Sequence, residues 1–411
     1  MDILIIHQNF PGQFKALAPA MVSFGHNVTV LTQRNVSSEE WHGVKIIRYR
    51  VTRRSTPEIH PWAVDFETKI IRGEACFRAA LELKAHGFTP DIILAHPGWG
   101  ESLFLKEVWP QTKLGIYCEF FYHTHGADVG FDPEFPVIES VDYCKVVLKN
   151  LNNLAHFRLA DAGLSPTQWQ ASTFPEPFRS KITVIHDGID TTALVPDPKA
   201  WVKLNDNLTL TCKNEIVTFV NRNLEPYRGI HVFMRALPEL LHKRPQAHVV
   251  IVGGDEVSYG TSPADGLTWR ECYIKEIQSR VCEDERRRIH FVGRIPYRLF
   301  VSLLQVSTVH VYLTYPFVLS WSLLEAMSVG CAIVASDTEP VQEVIHHNET
   351  GRLVNFFDSN DLVKNMVDLL ERPELRQRLG HNARRFVKSH YDLQTICLPR
   401  QIEWVESIHF T

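Results

Sequence analysis

Short, mostly apolar runs recur along the first half of the chain, each followed by a turn and a stretch in which apolar residues have helical spacing. These runs are 3–6, 28–31, 45–47, 92–94 and 114–118. Apolar runs of this length between turns are typical of strands that are covered on both faces, as in a parallel sheet. The region 14–24 has an amphipathic helical pattern that ends at Gly25, a good helix C-cap. The alternation of strands and helices predicts a doubly wound α/β domain.

The second half of the chain restarts the same pattern. Strands are predicted at 216–220, 248–252, 289–292, 309–313 and 333–335, with helices at 229–242, 296–305 and 321–329. Residues 191–214 contain two prolines and no apolar run before Leu208, so we interpret them as a linker and domain entry. The pattern therefore predicts an N-terminal domain over 1–194 and a C-terminal domain over 195–385. In such sheets, ligands bind beyond the carboxyl ends of the strands.

Length and charge limit the class of protein. A chain of 411 residues is too long for one core, and a net charge of −4 argues against a general nucleic-acid binder. The eight cysteines form no CxxC pair, which favours reduced thiols over a disulfide framework or a zinc site. No run approaches the roughly 20 apolar residues that cross a bilayer, and the N-terminus lacks a basic signal-peptide region. We expect a cytoplasmic protein, with peripheral contact at the inner face of a membrane left open.

The loop after the first strand, 7–13, is the first candidate binding element. Gly12 stands at a helix entrance, where free N–H groups attract an anion, although it is equally compatible with a simple turn. A GxGxxG fingerprint is absent here and a Walker lysine motif is absent from the whole chain. Neither NAD chemistry nor P-loop phosphoryl transfer is supported, and we predict no cofactor.

Two stretches of the second half carry candidate donor chemistry. Arg222 and Arg228 flank a turn between a strand and a helix, and guanidinium groups there can clamp a diphosphate or remain solvated. Glu325 lies within the apolar face of a short helix, where a carboxylate needs a partner. A pair of ribose hydroxyls is one such partner, and a neighbouring loop is the alternative.

Together these motifs resemble family 4 of the retaining GT-B glycosyltransferases, in the family's order and over nearly the whole chain. The motifs that carry the resemblance are Gly12, 25–28, 187–190, Arg222 with 228–229, and 323–327 followed by Gly330. The resemblance implies two Rossmann-like domains with a cleft between them. The first would bind the acceptor and the second the donor. It also implies a final helix that crosses back onto the first domain, which we assign to 386–411.

The resemblance also implies a set of donor-site residues. Arg222 and Arg228 would bind the diphosphate, and Glu325 would bind the ribose. The backbone after Leu323 would also approach the diphosphate. The full donor set that we carry over is Gly12, Arg222, Arg228, Gly293, Arg294, Phe317, Ser322, Leu323, Leu324 and Glu325. At Phe317 the family often has a Glu that contacts the transferred sugar, so this chain departs from the pattern there.

A second departure concerns the reacting centre. Many relatives have a His where this chain has Glu119, directly after the strand 114–118. A carboxylate there can orient an acceptor hydroxyl or take its proton, or it can bond to nearby loop amides instead. His123 and His125 follow closely, and we count both with Glu119, Arg222 and Arg228 as catalytic candidates.

The acceptor is assigned to loops of the first domain. We predict Gln13, His96 and Trp99 as acceptor-binding residues, with Trp99 either stacking on the acceptor or simply packing. His96 together with His123 and His125 offers a formal zinc set. A metal is not required, because arginines and helix N-termini can stabilise a leaving diphosphate, and we predict none.

We therefore predict transfer of a hexosyl unit from a nucleoside diphosphate sugar, preferably a UDP-sugar, to a hydroxyl acceptor, and the resemblance implies retention of configuration. The acceptor can be a glycan, a lipid-linked sugar or a small metabolite. One alternative is a sugar-nucleotide epimerase on the same fold. Another is a non-catalytic sugar-nucleotide-binding protein. We expect no nucleic-acid partner, and the oligomeric state stays open.

Overall fold

The computed structural model describes residues 1–35, 38–136, 140–264 and 266–410. These residues divide into two compact units. Unit 1 contains 1–188 together with 394–411, and unit 2 contains 189–393. The sequence prediction placed the corresponding boundaries at 194/195 and at 385/386.

The described part of unit 1 contains an eight-stranded sheet in the order β3-β4-β2-β1-β5-β6-β7-β8. All neighbouring strands are parallel except β3 and β4. The strands are β1 (Asp2–Ile6), β2 (Asn27–Thr32), β3 (Glu40–Trp41), β4 (Val44–Arg48), β5 (Ile92–Ala95), β6 (Lys113–Tyr117), β7 (Ala162–Ser165) and β8 (Ile182–Val184). The central strands are buried on both faces, as their continuous apolar runs predict.

The helices of unit 1 cover this sheet and carry its connections. They are α1 (Leu17–Ser23), α2 (Val64–Ala85), α3 (Leu105–Val108), α4 (Ser140–Lys149), α5 (Leu151–Phe157) and α6 (Gln168–Ser172). Short 3-10 turns lie at Gly12–Phe14, Pro97–Trp99 and Phe178–Lys181. The predicted helix 14–24 is thus a 3-10 turn followed by α1, and Gly25 follows it with a φ of +85°, as a C-cap glycine does.

Unit 2 contains, among the described residues, a six-stranded parallel sheet in the order β13-β12-β11-β14-β15-β16. Its strands are β11 (Ile216–Asn223), β12 (His248–Gly254), β13 (Ile289–Gly293), β14 (Val309–Tyr312), β15 (Ile333–Ser336) and β16 (Arg352–Val354). The predicted strands of both halves are present, and their ends differ from the prediction by a few residues at most. This is the doubly wound α/β arrangement that the sequence predicts.

The helices of unit 2 lie between these strands and after them. They are α7 (Ile230–Lys243), α8 (Trp269–Ile277), α9 (Glu283–Arg286), α10 (Tyr297–Val306), α11 (Trp321–Ser328), α12 (Glu339–Gln342), α13 (Ser359–Glu371) and α14 (Pro373–His390). A 3-10 turn, Pro226–Arg228, leads from β11 into α7, and a π-helical turn, Leu393–Cys397, follows α14.

The interpretation of 191–214 as a linker was incomplete. The structure has an antiparallel hairpin there, formed by β9 (Trp201–Asn205) and β10 (Leu208–Thr211). Val202 and Leu210 are buried in the core of unit 2, whereas Trp201 is exposed. Leu204 and Leu208 are partly buried and pack against the same core. Two apolar residues of each strand therefore face the core in alternation with polar residues, a pattern that gives no continuous apolar run.

The C-terminal helix, α15 (Leu398–Phe410), belongs to unit 1. Trp404, Val405 and Ile408 join the hydrophobic core of that unit. A Cβ at Gly115 on β6 would lie 2.9 Å from both Ile408 and Trp404, so the glycine allows this helix to approach the sheet closely.

Candidate functional site

His7 lies at the end of β1 and is buried. Its Nδ1 accepts a hydrogen bond from the Asn9 backbone N–H at 3.1 Å, which places the ring proton on Nε2. Nε2 then donates to Gln13 Oε1 at 2.9 Å. Burial, with the neighbouring His96, lowers the pKa of His7 to about 4, so the imidazole is neutral at pH 7. The ring therefore acts as a fixed donor that orients the Gln13 amide.

Gly12 is required by this histidine. Its φ is +46°, and a Cβ on it would lie 2.3 Å from two atoms of the His7 ring. Any side chain at position 12 would displace the imidazole from its place under the turn. The predicted contact of Gly12 with the donor phosphate stays a prediction.

His96 repeats the arrangement of His7 on the neighbouring strand. It follows β5, and its Nδ1 accepts from the Gly98 N–H at 3.3 Å, so that Nε2 carries the proton. The ring stacks between Trp99 at 4.5 Å and Tyr117 at 5.4 Å, measured between ring centroids. Trp99 thus packs on a buried imidazole, and its predicted acceptor contact is untested.

Glu119 follows β6 and brings the two histidines into one cluster. Its Oε2 lies 3.6 Å from His96 Nε2, and its Oε1 accepts a long 3.5 Å hydrogen bond from Gln13 Nε2. The Glu119 side chain remains 45% exposed. Burial raises the pKa of Glu119, but the contact with His96 and the influence of His7 lower it more, so its pKa lies below the usual value. The carboxylate is therefore ionised, oriented and open to a ligand.

We call Gln13, His96 and Glu119, with His7, the acceptor-edge cluster. It lies at the carboxyl ends of three adjacent strands, β1, β5 and β6. In open α/β sheets this is the edge at which ligands bind. The structure thus brings together three residues that the sequence predicted separately, and it adds His7, to which the sequence interpretation gave no role.

His123 and His125 have other partners. His123 Nε2 donates to the Thr173 carbonyl at 2.7 Å, and His125 Nδ1 lies 3.0 Å from the Thr124 hydroxyl. Among the described residues, neither histidine has a recorded contact with Glu119 or His96. Their predicted catalytic roles gain no geometric support from unit 1.

The two candidate donor arginines differ sharply in environment. Arg222 is exposed and makes no hydrogen bond or ion pair with any residue of the described chain. Arg228 is buried, and its Nη1 donates to Thr314 Oγ1 at 2.8 Å and to the Val318 carbonyl at 3.2 Å. The Arg228 guanidinium therefore holds the loop 314–318 in place, and Arg222 is the arginine available to a ligand.

Phe317 fills the position at which the family often has a glutamate. It is buried, and its ring packs against Tyr259 at 4.9 Å and Tyr227 at 5.8 Å, with the Arg228 guanidinium 5.9 Å from its centroid. An aromatic ring beneath a cation is attractive in this geometry. The residue consequently forms part of the support for the loop.

Two carboxylates, of Glu225 and Glu256, hold neighbouring loops of unit 2 through hydrogen bonds and an ion pair. Glu225 is buried and accepts hydrogen bonds from the backbone N–H groups of Ser258, Tyr259 and Gly260, at 3.0–3.2 Å. Arg294 donates to Asn223 Oδ1 at 2.8 Å and pairs with Glu256 at 2.5 Å. Arg294 therefore has protein partners, and its predicted membership of the donor site remains untested.

Glu325 lies on α11 and is half-buried, less buried than the sequence suggested. The Tyr297 hydroxyl on α10 donates to Glu325 Oε1 at 2.7 Å. Burial and the Glu325 carboxylate both raise the pKa of Tyr297, so this phenol stays a donor. The carboxylate is thus oriented by Tyr297, a partner that sequence interpretation missed.

The start of α11 is closed by its own cap. Ser320 Oγ accepts from the Ser322 N–H at 3.3 Å, and the Leu323 N–H bonds to the Ser320 carbonyl at 3.2 Å. Leu323 and Leu324 are fully buried. By contrast, the position of a Cβ on Gly293, at the end of β13, has no atom within 4 Å, which leaves open space beside that strand end.

The signals for the missed residues were weak in the sequence. His7 directly follows a predicted strand, a position that favours function, but no motif includes it. Glu225 and Tyr297 act through partners that lie 28 or more residues away. Such pairs become visible only when the strand order is known.

Comparisons with known proteins identify the family. The family model described as glycosyl transferase family 4 group matches residues 24–194, and that of glycosyl transferases group 1 matches 205–386. A GDP-mannose-dependent alpha-(1-6)-phosphatidylinositol monomannoside mannosyltransferase of Mycolicibacterium smegmatis is 23% identical over 302 residues, which cover 72% of each chain. The chain spans about half the length of several further curated relatives, 42–58%, at 25–28% identity.

Solved structures show the same fold. A sucrose-phosphate synthase from Thermosynechococcus elongatus matches with a TM-score of 0.73 and 19% identity, over 100% of both chains. Anabaena HepE in complex with UDP and glucose matches with a TM-score of 0.68 and 17% identity, over 99% of this chain and 100% of its own. In the described residues, no helix combines the length and apolar character needed to span a membrane.

The motifs, the two doubly wound units and the matches to both halves agree. The curated relative named above is a mannosyltransferase, and neither it nor the matching family models support the epimerase alternative. The chain belongs to the group 1 glycosyltransferases of family 4 and has the GT-B fold.

Proposed function

We propose that this glycosyltransferase moves a hexosyl unit from a nucleoside diphosphate sugar, preferably a UDP-sugar, to a hydroxyl acceptor with retention of configuration. The observation that carries the donor half is the carboxyl edge of the unit 2 sheet. There Arg222, near the end of β11, is exposed and has no hydrogen-bond or ion-pair partner among the described residues. Tyr297 orients the Glu325 carboxylate on α11, and Gly293 at the end of β13 has open space beside it. A cation, a carboxylate and open space suit diphosphate, ribose and base.

The acceptor half of the proposal rests on the acceptor-edge cluster. Glu119 is ionised and half-exposed, and its two oxygens face His96 and Gln13. An oriented carboxylate of this kind can accept the hydrogen of an acceptor hydroxyl and aim its oxygen at the sugar. We propose that Glu119 orients the acceptor hydroxyl and takes its proton, with departure of the diphosphate assisted by the Arg222 charge.

Retention of configuration and the choice of base are the finer parts of the proposal. Retention follows from the resemblance to the retaining family. The relatives leave the base open, because one named above is GDP-mannose-dependent and HepE was crystallised with UDP and glucose. None of the eight cysteines forms a disulfide in the described structure. This suits a reducing compartment, and we propose that the protein works in the cytoplasm.

The donor assignment predicts a thermal shift. A nucleotide at 100 times its dissociation constant stabilises a protein by about 2.7 kcal/mol, which raises the melting temperature visibly. We expect UDP to do so among UDP, GDP, ADP and dTDP, and Glu325→Ala to lose the response. Glu374→Ala, which removes an exposed carboxylate near the start of α14, serves as the control. A response to GDP alone would correct the base, and no response at millimolar concentration would contradict the donor site.

Metal independence is a separate prediction. Because Arg222 supplies positive charge for the leaving diphosphate, transfer should continue when EDTA is present. The measurement is the initial rate of nucleoside diphosphate release with and without chelator. A loss of rate that Mg²⁺ or Mn²⁺ restores would overturn this part of the proposal.

A further inference from the structure

Unit 1 contains a small cavity of about 70 Å³ beside the acceptor-edge cluster. Its wall includes Asn152, the aromatic residues Tyr117, Phe120 and Tyr122, and Glu119 from that cluster. One water needs roughly 10–15 Å³, whereas sites that hold a whole drug-sized ligand measure roughly 300–1,000 Å³. The cavity therefore has room for a small substituent of a ligand whose remainder lies outside.

Asn152 gives the wall an unused hydrogen-bond acceptor. The side chain is 2% exposed, and its Oδ1 has no hydrogen-bond partner among the described residues. Its Nδ2 donates to the Pro97 carbonyl at 2.5 Å. Because a carbonyl can only accept, this bond fixes which end of the amide is the nitrogen. A buried acceptor without a partner costs free energy, so Oδ1 favours a ligand that brings a donor.

Other polar groups of the wall are already engaged. The Tyr117 hydroxyl donates to both oxygens of Asp187, at 2.9 and 3.0 Å. His96 Nε2 faces the ionised Glu119 carboxylate at 3.6 Å. A ligand in the cavity can therefore satisfy Asn152 Oδ1 without displacing either of these contacts.

The charges around the cavity suit neither an anion nor a cation. Lys69 pairs with Asp65 at 2.6 Å. Burial lowers the pKa of the Lys149 ammonium, and the Asp128 and Asp65 carboxylates oppose that effect. An anion would meet the Glu119 carboxylate and two lysines that already have acidic counterparts, and a cation would meet two ammonium groups. A neutral donor avoids both costs.

We propose that this cavity binds the hydroxymethyl group of a neutral hexopyranoside, the proposed acceptor. The primary hydroxyl would donate to Asn152 Oδ1, and its methylene would lie among the aromatic rings of the wall. A hydroxymethyl group extends beyond the ring of the sugar, so it can enter a cavity that is too small for the ring. The half-exposed Glu119 carboxylate adjoins the same space, where a second hydroxyl of the sugar would meet it. That this sugar is the acceptor rests on the proposed function.

The first test is saturation-transfer NMR titration of the full chain, without nucleotide. The probes are the methyl α-pyranosides of glucose, mannose and galactose, each compared with its 6-deoxy counterpart. We expect at least one pair in which the 6-deoxy sugar binds roughly 3- to 10-fold more weakly, since one hydrogen bond is lost. Absence of this preference from all three pairs would overturn the proposal and leave the cavity to water.

The second test assigns the preference to Asn152. Asn152→Leu has a side chain of similar size without the acceptor, and the ratio of the two dissociation constants should fall to about one. Asn365→Ala is the control, since it removes a half-buried amide of unit 2 that donates to the Asp361 carbonyl at 2.9 Å. It should keep the preference. A variant that weakens both sugars equally would indicate a structural role for Asn152 and overturn the proposal. Should Asn152→Leu prove unstable in thermal unfolding, Asn152→Ala permits the same comparison.

A third comparison tests the neutrality of the substituent. The 6-hydroxyl of the sugar that shows the preference is replaced by a phosphate or by an amino group, and both analogues should bind more weakly than the parent. Tighter binding of either charged analogue would overturn the proposal. Because these titrations contain no nucleotide, a 6-hydroxyl preference without any sugar transfer would contradict the proposed function alone. Transfer without that preference would contradict this inference alone.

Discussion

Glu119→Gln is expected to lower the turnover number by roughly 10²- to 10⁴-fold, the usual contribution of a positioned acid or base. The amide keeps the shape of the side chain but loses the charge that receives the acceptor proton. The KM for the donor should stay within a few-fold, because Glu119 belongs to unit 1 and the proposed donor residues belong to unit 2. The measurement is the steady-state rate at saturating donor and acceptor.

The same carboxylate determines the acid side of the pH profile. The pKa of Glu119 lies below the ordinary 4.5 because of His96 and His7. A depressed pKa keeps the carboxylate charged as the pH falls. Activity should therefore persist at pH values where an ordinary carboxyl group is already protonated, and it should decline only when the pH falls below the depressed pKa of Glu119. His96→Gln should move that decline upward. Glu107→Gln, on the exposed face of α3, should leave the rate and the profile unchanged. Equal rates for wild type and Glu119→Gln would remove Glu119 from the reaction.

Substitutions of the two candidate donor arginines are expected to have different effects, one on catalysis and the other on stability. Arg222→Met should leave the free energy of unfolding unchanged and reduce kcat/KM by roughly 10- to 100-fold, because it removes charge-assisted bonds to the diphosphate. Arg228→Met should lower the free energy of unfolding by about 2–4 kcal/mol, because Thr314 and the Val318 carbonyl lose a buried partner. Chemical denaturation and steady-state kinetics on both variants separate the two effects.

The comparison of the two variants decides which arginine binds the ligand and which supports the loop. If Arg222→Met keeps full activity while Arg228→Met folds normally and loses it, the assignment of ligand and support roles is reversed. A loss of stability in Arg222→Met would likewise contradict its exposure and lack of partners.

The strand pattern was predictable because central parallel strands are buried on both faces. Continuous apolar runs such as Ile3–Ile6 are therefore easily distinguished from the polar turns beside them. The hairpin formed by β9 and β10 was not predicted, because each strand has only two core-facing apolar residues and these alternate with polar ones. An alternation of that kind, around the turn at Asp206 and Asn207, was present in the sequence and too short to outweigh the prolines before it.

The sequence predicted which residues belong to the candidate site better than it predicted which of them contact each other. The rule that ligands bind beyond strand ends located Gln13, His96 and Glu119 without stating that they meet. Their meeting depends on the strand order β1-β5-β6, which joins side chains as far apart as Gln13 and Glu119, 106 positions along the chain. Burial separates Arg222 from Arg228, and spacing in the sequence says nothing of that difference.

The most direct test of transfer from a nucleotide sugar is ¹H NMR of the wild-type chain with UDP-glucose or GDP-mannose, with and without a panel of hydroxyl acceptors that includes inositol phosphates. We predict release of the nucleoside diphosphate that depends on the acceptor, and a product whose anomeric proton shows the configuration of the donor. Conversion of the donor sugar with no acceptor present would indicate an epimerase. A donor that binds and stays intact with every acceptor would contradict the transferase activity proposed for this chain.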